Sequence, residues 1–218
     1  AALKVQTEVA QLSMDDPQGR EKALAQLHEG IDRATRLVDQ LLTLSRLDSL
    51  AQLDDVHTIA IDELLQSSVM EMYHSAQQAG IELRLHLNAT QVMQPGQPLL
   101  LSLLVRNLLD NAVDATLKAP VPAPVELYIS DRNQELLIEV ADRGCGVDDA
   151  MKPHIFRQGF SSKPESSNEL VGAEHGIGLF LVAGYVDKAG GSIEITDNTP
   201  QGTVFSVFIP YYQPVRQG

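Results

Sequence analysis

The hydrophobic pattern changes character near residue 55 of this 218-residue chain. Before that point, apolar residues recur at helical spacing. Leu24, Leu27, Ile31, Ala34, Val38 and Leu41 step by three and four, with Asp32, Arg33, Arg36 and Asp39 off the line. This is the a/d seam of a coiled coil or helical bundle. The stretch Asp15-Asp16-Pro17-Gln18-Gly19 separates that helix from an earlier one, and Asp followed by Pro at a first helical position marks a helix start. Two helices joined by so short a loop pack antiparallel as a hairpin. A hairpin alone has too little core to be stable, so a dimeric four-helix bundle over residues 1–54 is expected. The alternative is a pair of surface helices folded onto the rest of the chain.

From residue 55 to about 213 the pattern is mixed. Ile59–Ile61 reads as a short strand, and residues 62–79 as a helix closed by Gly80. Ile81–Leu87 alternates as a half-buried strand does. Residues 97–117 read as a long apolar helix. Val125–Ile129 and Glu135–Val140 read as strands joined by the polar turn Ser130–Gln134. A Gly-, Ser- and Pro-rich stretch covers 143–178. A helix at about 177–189 ends at Gly190-Gly191, and Ser192–Thr196 and Thr203–Ile209 close as strands. This order predicts an α+β sandwich with helices on one face of a mixed sheet.

Charge narrows the partners. With 16 Lys and Arg against 29 Asp and Glu, the formal charge is −13. Nonspecific nucleic-acid binding needs clustered cations to displace counterions, so no nucleic-acid partner is expected. A bound nucleotide is compatible, because backbone amides and one metal ion can hold a triphosphate in an acidic protein. Cys145 is the only cysteine, which excludes an intrachain disulfide and a thiolate cluster. The longest apolar run, Pro98–Val105, stops at Arg106, short of the ~20 residues of a membrane span. The start, Ala1-Ala-Leu-Lys, has no signal-peptide pattern and no initiator Met, so a soluble piece of a longer protein is expected.

Three constellations in the second region carry chemistry. Asn107-Leu-Leu-Asp-Asn111 puts two amides on one helix face, where a neutral oxygen can complete a Mg²⁺ shell of phosphate and water. Asp142-Arg-Gly-Cys-Gly146 follows a strand; a carboxylate there can accept from an exocyclic amine, and glycines admit close backbone approach. A simple turn is the plainer reading of that segment. His175-Gly-Ile-Gly178-Leu precedes a helix, so free N–H groups and the positive dipole end face an anion.

In this order and spacing the three together resemble the ATP-binding domain shared by sensor histidine kinases, DNA gyrase and related chaperone and repair ATPases. The N-box is Asn107–Ala112, the G1 box Asp142–Gly146, the F-box region Ile155–Phe160 and the G2 box His175–Leu179; Gly202-Thr-Val-Phe205 resembles the last strand. The resemblance implies that Asn111 ligands Mg²⁺ and Asp142 reads the adenine amino group. It implies that Gly144, Gly146, Gly176 and Gly178 shape the pocket and lid, and that Thr203 lines the adenine side. Lys163, in Phe160-Ser-Ser-Lys163, is similar to a lid cation near the phosphates. Position 107 is a Glu general base in gyrase-like members. Asn107 resembles the kinase type, whose amide cannot abstract a proton, so phosphoryl transfer is favoured over hydrolysis.

The hairpin resembles the dimerisation and phosphotransfer domain of the same kinases. Their acceptor histidine lies in an H-E-[LIF]-[RK]-[ST]-P-L motif, of which Ala1-Ala-Leu-Lys resembles the continuation; the acceptor is expected a few residues before Ala1. None of His28, His57, His74, His86, His154 and His175 stands in that motif. No pair has zinc-ligand spacing on a shared helix face. Up to about Ala112 the chain resembles quorum- and hormone-sensing kinases, and from Asp114 onward citrate and C4-dicarboxylate sensors, as a natural or engineered mosaic. The resemblance implies ATP and Mg²⁺ as cofactors, homodimerisation through the hairpin and a response-regulator receiver domain as partner. It also implies a cytoplasmic fragment of a protein held at the inner membrane by upstream segments. The alternatives are a hydrolysing gyrase- or chaperone-type ATPase and a nonenzymatic docking module.

Overall fold

Pro98 opens the helix on which the larger unit is built: its missing N–H costs nothing at a first helical position. The computed structural model describes residues 7, 16–28, 30, 31, 35 and 38, then 57–88, 93–96, 98–121, 123–132, 134–158, 160 and 177–211. The chain divides into two compact units, Ala1–Arg46 and Leu47–Gly218.

In the first unit residues 17–28 are helical from Pro17, as the Asp-Pro signal predicts, and positions 30, 31, 35 and 38 are helical too. Ala23 is buried, whereas Leu24, Ile31 and Val38, seven residues apart, are each about half exposed in the single chain (50%, 47% and 54%). Of the predicted earlier helix only position 7 is described, and it is helical; Ala34 and Leu41 of the seam lie outside the described residues.

The second unit runs β1 (His57–Ala60), α1 (Ile61–Gln78), β2 (Leu83–Leu87), β3 (Met93–Gly96), α2 (Pro98–Leu117), β4 (Val125–Arg132), β5 (Glu135–Ala141), α3 (Gly178–Lys188), β6 (Ser192–Asp197) and β7 (Thr203–Pro210). Five strands form one sheet in the order β2-β4-β5-β7-β6. Only β2 and β4 pair in parallel; the other pairs are antiparallel, giving the expected mixed sheet. On one face Val125, Leu127 and Ile129 of β4, Leu136, Ile138 and Val140 of β5, and Phe205, Val207 and Ile209 of β7 are buried. Helix α2 packs on β4 and β5, α3 on β6 and β7, and α1 on β2. The alternate residues face outward, where His86 stacks on Tyr128 and Ser206 Oγ donates to Glu139 Oε1 at 3.1 Å.

Two local readings change. Ile61 begins α1 rather than ending a strand, because it is 1% exposed and belongs to the helix's buried face. Residues 130–132 continue β4 instead of turning, paired Ser130↔Leu137, Asp131↔Leu136 and Arg132↔Glu135; Gln134 takes the positive φ (68°) of the tight connection. Strand β3 was not expected, because Gln-Pro-Gly reads as a turn, yet it pairs with β1 as a separate two-stranded ribbon. Gly80 does close α1: with φ +74° it donates to Gln77 O at 3.0 Å while Ile81 donates to Ala76 O at 2.9 Å, a Schellman arrangement.

Leu100, Leu101, Leu104, Val105, Leu108, Leu109 and Ala112 form the buried stripe of α2. Ser68 Oγ and Ser102 Oγ, 2.9 Å apart, share a hydrogen bond between α1 and α2. Leu108 is fully buried. Leu108→Ala is therefore expected to lower unfolding free energy by about 2–5 kcal/mol, read from urea midpoints; a loss under about 1 kcal/mol would show that α2 is not the central packing element.

Candidate functional site

Helix α2 carries a second stripe along the edge of its apolar one. Asn107, Asn111 and Ala115 step by four, share one face and are half-buried. Asn107 Nδ2 donates to Leu103 O at 2.7 Å, and Asn111 Nδ2 donates to Asn107 O at 2.8 Å. With the amide N–H groups tied back to the helix, the Oδ1 atoms are left to meet partners.

Both glycine motifs bear on this stripe. A Cβ at Gly178 would lie 2.7 Å from Asn107 Oδ1, so a larger residue there would push the Asn107 side chain from its place. A Cβ at Gly144 would lie 2.5 Å from the Ala115 carbonyl carbon and 2.6 Å from its Cβ. The two contacts are eight residues apart on α2, about 12 Å along its axis, with Asn111 midway. At the first contact α3 begins after Ile177, whose side chain makes no capping bond, so no N-cap side chain occupies its first N–H groups.

Asp142 lies at the other end, just past β5, and is 2% exposed. Its Oδ1 accepts from the N–H of Gly144 at 2.8 Å and of Thr203 at 3.3 Å. Its own N–H donates to Thr203 O at 2.9 Å. Burial pushes its pKa above the ordinary carboxylate value, and the two backbone N–H bonds partly oppose this. Oδ2 takes no bond of its own from the described residues, so this carboxylate holds an acceptor in reserve. Thr203 is itself 2% exposed and Gly146 adopts φ +76° beside it in the same turn region, near Gly202 O.

The segment after the Asp142 turn is fastened to the sheet as far as Phe156. Ile155 is buried, and Phe156 meets Phe205 edge-on with centroids 6.5 Å apart. Lys152 Nζ bonds Asp149 Oδ1 at 2.6 Å and Asp197 Oδ1 at 2.8 Å. So Asn107, Asn111, Asp142, Gly144, Gly146, Gly178 and Thr203 come together on α2 and the neighbouring strand ends. Lys163, His175 and Gly176 lie outside the described residues. Sequence reasoning missed Ala115, the contact of Gly144, whose four-residue step from Asn111 was a readable signal. It also missed Lys152, whose partner is 45 residues distant.

Among the described residues no group of three or more His, Cys, Asp or Glu could hold a metal ion. Asn111 supplies one neutral oxygen, which fits Mg²⁺: that ion keeps waters, takes few protein ligands and draws the rest from phosphates. No helix among the described residues is long and apolar enough to cross a membrane.

Asp142→Asn separates the carboxylate's roles. The amide oxygen can still accept both backbone N–H bonds, while its NH₂ replaces the free acceptor. Since the folded pKa is raised, the acid's favourable contribution to folding is present in acid and is lost as pH rises through that pKa. The variant is therefore expected to melt higher than the parent at neutral pH, with the gain shrinking in acid. It should bind adenine nucleotide at least about tenfold more weakly by calorimetry. A lower melting temperature at neutral pH would contradict this.

Residues 96–213 match the family described as histidine kinase-, DNA gyrase B- and HSP90-like ATPase. Sensor protein QseC of Salmonella typhi is 57% identical over 182 residues, 84% of this chain and 38% of that protein. Sensor histidine kinase DpiB of Escherichia coli K12 is 46% identical over 112 residues, 51% of this chain and 19% of that protein. The chain spans well under half the length of either relative. A solved structure of the cytoplasmic segment of histidine kinase QseC is 41% identical with a TM-score of 0.55, covering 84% of this chain and 95% of that one. With an amide at position 107, the stripe on α2 and both glycine motifs in place, the chain belongs to the histidine kinase-, DNA gyrase B- and HSP90-like ATPase family, as the ATP-binding catalytic core of a sensor histidine kinase.

Proposed function

We propose that this core binds ATP with Mg²⁺ and, in the intact protein, transfers the γ-phosphoryl group to a histidine and thence to an aspartate of a response-regulator receiver domain. The observation that carries this reading is the buried Asp142 with one free acceptor, set at one end of the α2 stripe whose other end meets the start of α3. Adenine donates its exocyclic N–H to Asp142 Oδ2. The phosphates run along Asn111 toward Asn107 and the N–H groups of α3, which offset negative charge through the helix dipole. Mg²⁺, when bound at Asn111, neutralises phosphate charge. Lys163 adds a cation from the lid.

Transfer forms a bond from histidine nitrogen to phosphorus and breaks the bond to the ADP oxygen. Asn107 cannot take a proton from water, so hydrolysis is slow. Positioning and charge neutralisation supply the rate. Homodimerisation through the hairpin is supported by the exposed heptad line Leu24, Ile31 and Val38, which a second copy would cover. In the intact protein the unit works on the cytoplasmic side of the inner membrane.

None of the six histidines of this chain stands in the acceptor motif. Incubation with ATP labelled in the γ-phosphate tests the reading. The chain is expected to bind ADP–Mg²⁺ by calorimetry, release phosphate slowly and gain no acid-labile label. Acid-labile label would contradict an acceptor outside these residues. Rapid steady-state phosphate release would make the chain a hydrolytic ATPase, and absence of ADP–Mg²⁺ binding a docking module.

A further inference from the structure

The carbonyl oxygen of Asp142 is gripped from a turn 56 residues further along. Asn198, between β6 and β7, donates from Nδ2 to Asp142 O at 2.7 Å. Its Oδ1 accepts the N–H of Thr199 at 2.9 Å, which fixes the amide with its NH₂ toward Asp142. Its N–H donates to Gly202 O at 3.0 Å, closing the turn. Gly202, at φ +122°, lies directly against Asp142 O, and any Cβ there would overlap that oxygen. One residue earlier, Asp197 is tied to Lys152 at 2.8 Å, so the turn is joined to the segment following the Asp142 loop.

We propose that Asn198 is a positioning residue for base selection: by holding the Asp142 backbone from the β6–β7 turn, it sets where Oδ2 points and so how strongly an adenine amino group is preferred. Asp142 is then bound on every side but one. Its N–H and Oδ1 meet Thr203 and Gly144, its carbonyl meets Asn198, and Oδ2 alone is free to choose the base. The bond to Asn198 fixes the peptide that leads to Gly144, whose N–H in turn holds the carboxylate by Oδ1. Asn198 is the only side chain among the described residues that donates to that carbonyl, and it is half-buried, where a hydrogen bond is little weakened by competing water. This inference rests on the adenine-reading role of Asp142.

The test compares ADP–Mg²⁺ with the inosine diphosphate complex, whose base has a carbonyl oxygen where adenine has its amino group. The 218-residue chain is titrated by calorimetry as parent, Asn198→Ala and Asp142→Asn. Asn198→Ala is expected to weaken ADP about five- to tenfold, the worth of one lost hydrogen bond, and inosine diphosphate less than about twofold. In an Asp142→Asn background the same change should cost no further preference. If Asn198→Ala does not fold, Asn198→Asp keeps the shape and the Thr199 bond but turns an oxygen on Asp142 O; it must show the same loss of preference. Equal weakening of both nucleotides, or a melting shift with the preference intact, makes Asn198 a turn residue only and overturns the proposal. If Asp142→Asn itself leaves the preference unchanged, the adenine-reading role fails and this inference falls with it. If Asp142→Asn abolishes the preference while Asn198→Ala preserves it, the positioning role alone fails.

Discussion

The approach of two glycine backbones to one face of α2 is the constraint on which the rest depends. Gly144 sits on the Ala115 backbone at a distance no Cβ permits, and Gly178 sits on the Asn107 side chain, which a Cβ there would push aside. Because both contacts are to the same rigid helix, two loops far apart in sequence are held at fixed separation, with Asn111 between them. The apolar stripe next to it on α2 anchors the helix to β4 and β5, so the scaffold and the site share one element. A site built this way is as rigid as the core beneath it.

Asp142 shows the cost of such a site. Removing a carboxylate from water opposes its charged form, and two backbone N–H groups offset only part of that penalty. The remaining acceptor, Oδ2, is the one that the proposed function gives to a ligand amine. The overall charge of −13 has the opposite consequence at the phosphate end. ATP brings about four more negative charges, and within the described residues helix N–H groups and neutral amides are what α2 and α3 offer them. In the proposed function a metal ion and Lys163 supply the balance.

Much of this was legible because the signals are local. A long apolar run gave α2, and Gly80 gave the end of α1. Alternation gave β2, and glycine spacing with paired asparagines pointed to residues that gather on α2. What was hidden depends on tertiary distance. Strand β3 forms only because β1 is available to pair with it, against its own turn-like residues. Residues 130–132 extend β4 because Leu136 and Leu137 opposite them must be paired, although their polar character suggests a turn. Asn198 sits in an ordinary turn sequence; nothing local reveals that its amide reaches Asp142 across the sheet end.

The central claim is that a nucleotide lies along α2 with its base at the Gly144 end and its phosphates at the Gly178 end. Backbone amide shifts by NMR test that polarity most directly, comparing adenosine with ADP–Mg²⁺ on the same chain. Adenosine is expected to move the signals of Asp142, Gly144, Thr203 and Ala115, and the diphosphate to extend the changes through Asn111 to Asn107 and Gly178. Adenosine shifts centred on Asn107 and Gly178, or on the outer sheet face around His86 and Tyr128, would contradict it.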